Sequence, residues 1–266
     1  MRTKMIAGNW KMHHRPQEAR AFVEELGRVL WARNELYGPL KEGVAEAVLF
    51  PTALSLAAVQ DALGDLPVSL GAQNAHWEDH GAFTGEIGAP MLADFGCAYI
   101  LIGHSERRHL FHETEVELAR KLRAVLSTSA RCLFCVGELL EEREAGKTHQ
   151  VLERQLLGAL EGVTIPDLTD RFAVAYEPVW AIGTGKTASD GDAEEGCGYI
   201  RHLVADRYGQ ETAQHLQVLY GGSVKPGNTA GLMVQGDIDG LLVGGASLEV
   251  PSFVGILEAA LGILRP

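Results

Sequence analysis

Phe172-Ala173-Val174-Ala175-Tyr176-Glu177-Pro178-Val179-Trp180-Ala181-Ile182-Gly183-Thr184-Gly185-Lys186-Thr187-Ala188 is the stretch around which the rest of the chain can be ordered. Residues 172–176 are apolar, with aromatic or β-branched side chains at alternate positions, which is the composition of a short buried strand. Pro178 has no N–H to give to a ladder and stops the strand there. Glu177 therefore stands at the strand's end, and Trp180 and Ile182 follow in a glycine-containing loop with no periodic partner. A carboxylate in that place, followed by a loop with an apolar tip, predicts a base beneath a lid. A capping or surface glutamate is the plainer alternative, and the ends of the other strands decide between them.

Seven further short apolar runs have the same form, at residues 5–8, 45–50, 68–73, 99–103, 131–136, 216–220 and 240–243. The segments between them read as helices. Pro16 suits a first helical turn, and Phe22, Val23, Leu26 and Leu30 follow at helical spacing. Further helices are predicted over 53–63, 91–95, 113–126 (with Val116, Ala119, Leu122 and Leu126 on one face), 192–208, 228–234 and 251–264, and 139–160 is expected to be mostly helix. Residues 74–85 are polar, aromatic and glycine-rich, and are expected to form a long ordered loop.

No stretch reads as a linker, so residues 1–266 are expected to form a single domain. Continuously apolar strands alternating with helices imply a parallel sheet covered on both faces. Eight such units in about 250 residues match a closed (β/α)8 barrel, eight parallel strands with outer helices. The formal net charge of -12 disfavours nucleic acid or an anionic membrane as partner. The N-terminus carries too few apolar residues for a signal-peptide core or a membrane span. Four cysteines without a pairing pattern point to a reduced, cytoplasmic protein.

The polar residues of interest each follow a predicted strand: Asn9 and Lys11, His104 and Glu106, Glu138, Glu177, Ser223, and Gly244-Gly245. In a barrel the C-terminal strand ends meet at one mouth, where active sites are built. The set holds a cation, an imidazole, carboxylates and glycine-rich turns. No Cys/His pair in it has metal-ligand spacing, so neither metal nor cofactor is expected.

Asn9-Trp10-Lys11, residues 81–86, His104-Ser105-Glu106-Arg107-Arg108, Cys135-Val136-Gly137-Glu138, residues 175–188, Tyr220-Gly221-Gly222-Ser223-Val224 and residues 243–248 resemble the signatures of the triosephosphate isomerases, in that family's order. The resemblance implies a TIM barrel that interconverts dihydroxyacetone phosphate and glyceraldehyde 3-phosphate through an enediolate. It makes Glu177 the base, with a pKa raised by burial under the lid. It makes His104 the electrophile, kept neutral by the N-terminus of the helix that follows; this family is itself a standard illustration of that tuning and of loop closure. Lys11 would supply positive charge to oxyanion and phosphate, Asn9 would bond substrate oxygens, and Glu106 would orient Lys11. Gly183, Ser223, Gly244 and Gly245 would bind the phosphate through backbone N–H groups. Residues 178–180 and 186–188 would be the hinges of the lid, and Tyr220 and Ser223 its latch. Arg107 and Glu138 resemble bracing residues, as a candidate ion pair.

Other readings fit less well. Gly185-Lys186-Thr187 lacks the glycine that a P-loop needs five residues before Gly185, since Trp180 is there. Gly183-x-Gly185-x-x-Ala188 loosely fits a dinucleotide fingerprint but lies well past the strand end at Tyr176. Another sugar-phosphate reaction would be expected to carry a different constellation, and a non-catalytic scaffold a damaged one. Cys135 reads as a small buried thiol. His76 and His80 with Glu78, and His109 with His112, lack the spacing or third ligand of a metal site.

The resemblance also implies a homodimer, with residues 74–86 of one copy beside the site of the other and Thr84 near the partner's Asn9 and Lys11; a tetramer is the alternative. Two departures touch that region. His13-His14 replaces the family's usual Asn-Gly or similar pair, and residues 30–45, with Tyr37-Gly38-Pro39 inside, form a longer segment than usual.

Overall fold

Parallel strands cannot be joined by tight hairpins, so each must return through a long crossover, usually helical. The computed structural model, which describes residues 2–168, 170–182 and 188–262, has this organisation throughout. Its strands are β1 (Lys4–Asn9), β2 (Ala45–Phe50), β3 (Ser69–Ala72), β4 (Tyr99–Ile102), β5 (Arg131–Val136), β6 (Phe172–Tyr176), β7 (Gln217–Tyr220) and β8 (Gly240–Val243). They form a closed barrel in chain order, and β8 returns to β1 with Met5 opposite Gly240 and Gly8 opposite Val243. The (β/α)8 barrel expected from the sequence is the fold.

The period-two geometry of a strand explains why these runs are apolar throughout. In β6, Ala173 and Ala175 join an inner cluster with Ala7, Phe50, Leu101 and Leu133. Phe172, Val174 and Tyr176 belong to the larger layer between strands and helices. One face fills the barrel and the other seats the helices.

The helices begin at local signals. Pro16–Ala32 starts with proline in its first turn and buries Phe22, Val23, Leu26 and Leu30. Asp190–Tyr208 opens with a capping box, in which Asp192 N–H donates to Ser189 Oγ at 3.1 Å and Ser189 N–H to Asp192 Oδ2 at 2.9 Å.

Four details differ from the expectations. The segment over 30–45 contains a second helix, Asn34–Lys41, with Pro39 inside it. Buried Leu36 and Leu40 and the Arg33–Glu258 ion pair hold it despite the proline. In Glu115–Leu126 the expected Ala119, Leu122 and Leu126 are buried together with Leu118 and Val125, and only Val116 of the expected face is out, 63% exposed. Residues 139–160 form two helices, Leu140–Glu144 and Thr148–Ala159, separated near Gly146, whose φ is 67°. A helix at Gln210–His215, not foreseen, precedes β7. The last helix, Val250–Leu261, was expected to reach 264, and residues 263 and 264 lie outside the described residues.

Candidate active site

The strand ends converge as the barrel geometry requires. Asn9, Lys11, His104, Glu177, Ser223, Gly244 and Gly245 line one cavity of about 270 Å³ at the C-terminal mouth. Gly183 lies outside the described residues. Glu106 lines a neighbouring cavity of about 360 Å³ that shares Asn9, Lys11 and His104 with the first. Two residues with no role at the site expected from the sequence also line the smaller cavity: Lys225 and Leu242. Lys225 carried no signal of its own, because an exposed lysine before a helix is ordinary.

Glu177 is positioned by its backbone. Its N–H donates to Val136 O at 2.7 Å, and Val179 N–H donates to Glu138 O at 3.1 Å. A Cβ on Gly137 would lie 1.7 Å from Glu177 O, so only glycine lets the ends of β5 and β6 approach this closely. The side chain is 2% exposed. Its Oε2 accepts the Ser105 backbone N–H at 2.9 Å, and its Oε1 lies 3.0 Å from His104 Nε2.

His104 caps the short helix Ser105–His109, and its Nδ1 accepts the Glu106 N–H at 3.2 Å. That bond needs a lone pair on Nδ1, so the ring proton sits on Nε2 and is donated to Glu177. Burial pushes His104 toward the neutral form, but the adjacent Glu177 carboxylate pulls its pKa up and prevails over it. The upward pull belongs to this resting contact. Without the Glu177 contact, burial and the Glu106 N–H both favour neutral imidazole.

Glu177 differs from the expectation. Burial raises its pKa, but His104, the Ser105 N–H and Lys11 together outweigh burial and hold it below the ordinary value of 4.5. The reason is geometric: with the carboxylate resting on its donors, the charged form is well solvated by the protein. The elevation expected for a base under an apolar lid requires the carboxylate to leave those donors.

Lys11 follows β1 in left-handed backbone, with φ 51°, and its N–H donates to Asn9 Oδ1 at 3.0 Å. Gln73 Nε2 holds the loop by donating to Lys11 O and Phe50 O, each at 2.8 Å. Lys11 Nζ lies 2.9 Å from Glu106 Oε1. Gly244 lies beneath the Lys11 side chain, where an added Cβ would be 3.4 Å from Cε. The cation and the glycine turn thus face the same space.

Arg107 and Glu138 do not pair with each other. Arg107 pairs with Glu113, whose charge it shares with buried Lys121. Glu138, fully buried, accepts Trp180 Nε1 at 2.8 Å and Tyr176 Oη at 3.1 Å, and Arg143 lies 3.7 Å away. Arg107 is committed on the β4 side, so the nearer Arg143 supplies the charge to Glu138. Glu138 therefore holds Val179 and Trp180, just past the end of β6. Among the described residues, no group of three or more His, Cys, Asp or Glu side chains is placed to hold a metal ion.

The whole chain can be set beside known proteins. The family model described as Triosephosphate isomerase matches residues 4–260. Proteins named triosephosphate isomerase are 48% identical in Syntrophotalea carbinolica, over 97% of this chain and 98% of that protein. The corresponding figures are 48%, 97% and 99% in Moorella thermoacetica, and 47%, 98% and 100% in Carboxydothermus hydrogenoformans. With a closed eight-stranded barrel and the strand-end residues gathered at its mouth, this match along nearly its full length shows that the chain belongs to the triosephosphate isomerase family.

Proposed function

We propose that this protein interconverts dihydroxyacetone phosphate and D-glyceraldehyde 3-phosphate, the aldose–ketose isomerisation shared by glycolysis and gluconeogenesis. The observation that carries the proposal is the meeting of Lys11, His104 Nε2 and the Glu177 carboxylate at one cavity that also presents Gly244 and Gly245. The phosphate lies on the N–H groups of Ser223, Gly244 and Gly245; Gly183, the fourth residue of that set, is outside the described residues. Lys11 and Asn9 address the substrate oxygens.

Glu177 leaves His104 and Ser105 as substrate enters and takes the proton from C1 of the ketose. His104 Nε2–H, released from Glu177, donates to the oxygen on which the enediolate charge develops. His104 Nε2–H gives its proton to O2 and the ring takes up the proton of O1. When Glu177 then returns its proton to C2, the product has a carbonyl at C1 and a hydroxyl at C2, the aldose. Stripped of its donors but still buried, the Glu177 carboxyl rises in pKa and becomes a stronger base. Glu106 keeps Lys11 oriented, and closure of the loop after β6 excludes water from an intermediate that could otherwise expel phosphate.

The proposal includes one domain over residues 1–266, a cytoplasmic location and a homodimer. All four cysteines are unpaired and buried, which suits a reducing compartment. Among the described residues, no helix is long and apolar enough to cross a membrane. The dimer reading is supported beside the site, where the 360 Å³ cavity is flanked by Met12, 91% exposed, and Phe111, 65% exposed. The 74–86 loop is ordered by its own rings, Trp77 stacked on His76 and Phe83 against the same ring, and it leaves Phe83 42% exposed, apolar surface that a neighbouring copy's cavity could receive. Sedimentation equilibrium tests it, with a dimer expected, a tetramer extending it and a stable monomer overturning it.

The activity is tested by coupled assay of triose-phosphate interconversion at nanomolar enzyme without added metal or nucleotide. Turnover in both directions is the expected result. Absence of turnover by folded protein overturns the proposal.

A further inference from the structure

The loop after β1 enters left-handed backbone twice, at Lys11 and again at His14, whose φ is 62°. That region is uncommon outside glycine. His14 occupies it while making contacts to three other parts of the fold. Its ring meets Trp10 edge to face, with centroids 4.8 Å apart, and lies 5.8 Å from Phe22 in the first helix. Its carbonyl accepts Ser55 Oγ at 2.9 Å, tying it to the segment after β2. Its Nε2 lies 3.1 Å from Leu248 O. A carbonyl only accepts, so the proton of that bond is on Nε2.

Leu248 directly follows the turn Gly245–Ser247, and Trp10 Nε1 donates to Ser247 O at 3.2 Å. Two rings from the β1 loop thus grip two successive carbonyls just past the glycine turn. The β1 loop carries Lys11; the turn carries Gly244 and Gly245. An anion held by both requires their separation to be fixed, and loops on different strands do not fix it by themselves.

We propose that His14 is a positioning residue for the phosphoryl group, locking the loop that bears Lys11 to the turn that bears Gly244 and Gly245. The assignment rests on the isomerase reading. His14 touches no substrate atom; it holds the two halves of the anion site in register.

The test compares His14→Phe, which keeps a ring but loses the donor, and His14→Gly, which loses the ring but relieves the backbone. The readouts are the competitive inhibition constant of inorganic phosphate, KM and kcat for glyceraldehyde 3-phosphate, and kcat/KM for D-glyceraldehyde, which has no phosphate. Loss of one hydrogen bond predicts phosphate inhibition weakened about two- to tenfold, with KM rising in step. Turnover of D-glyceraldehyde should stay at the wild-type level. Wild-type phosphate inhibition and KM in both variants overturn the proposal, as does an equal loss on both substrates, which is the mark of general damage. If the phenylalanine variant does not fold, the glycine variant decides alone. A wild-type enzyme without isomerase activity sinks the isomerase reading, whereas inorganic phosphate binding measured directly by titration calorimetry across the variants still reports on the His14 contact.

Discussion

At the floor of the barrel, where the strands begin, Glu46, Tyr99, Arg131 and Gln217 form a polar cluster; at the mouth, Lys11, His104 and Glu177 form another. The floor hollow is the larger, about 690 Å³ against 270 Å³. Most of its groups are nevertheless spent on one another, Arg131 Nε being left without a partner among the described residues. Arg131 reaches Glu46 Oε1 at 2.9 Å, Gln217 Oε1 at 2.6 Å and Tyr99 Oη, while Tyr99 Oη donates to Glu46 Oε2 at 2.5 Å. The mouth also has internal contacts, but Glu177 is held by two donors that a substrate oxygen could take over, and Lys11 faces a glycine turn that offers space. A polar cluster in a barrel becomes a site when its partners are replaceable, whatever the volume beside it.

The sharpest way to break that comparison is to neutralise one carboxylate at each end. Glu177→Gln should lower kcat by about 10²–10⁴-fold with little change in KM. Glu46→Gln should leave kcat near wild type and lower the thermal midpoint by a few degrees, from the loss of about 1 kcal/mol. Near-wild-type turnover in the first, or a collapse of kcat in folded protein of the second, would erase the distinction.

Lys11→Ala comes next, with kcat/KM reduced by about 10²–10³-fold, because the cation serves both phosphate and developing oxyanion. Steady-state kinetics should show KM and kcat affected together; a fully active variant removes Lys11 from the site.

The titration of Glu177 sharpens the comparison by a smaller effect. Carbon-13 NMR of the free enzyme should place its midpoint below 4.5, because its donors outweigh burial. The sign follows from linkage: a depressed carboxyl favours the folded state above its unfolded pKa and loses that contribution as pH falls through the folded one. His104→Gln removes the largest opponent of burial, so the midpoint should move up. No movement would mean the His104 contact does not hold the carboxylate. The smallest effect is expected at Lys225, exposed at the cavity's edge. Lys225→Ala should raise KM about two- to threefold at low salt and not at all near 1 M, where surface charges are screened.

Much of this was legible in order of residues alone. The runs 45–50, 131–136, 172–176 and 240–243 coincide with β2, β5, β6 and β8 because each is a short apolar segment closed by a turn or break signal. The helix Asn34–Lys41 was not legible, since Gly38-Pro39 signals a break and only burial of Leu36 and Leu40 against the fold overrules it. The partner of Glu138 was equally hidden. Arg107 lies a helix and a strand before Glu138 and Arg143 just after it, and only packing places one beside Glu113 and the other beside Glu138.

By itself the sequence determined the alternation of strands and helices, the closure that follows from eight such units, and the residue types standing at the strand ends. These are local or periodic properties, and a barrel converts them into a single mouth without further information. The tertiary structure alone decided which groups touch: that Glu177 rests on His104 and Ser105 with its pKa held down, and that His14 bonds Leu248 across the barrel seam. Charge states and long-range hydrogen bonds depend on distances of a few ångströms between segments far apart in the chain, and no local pattern encodes those.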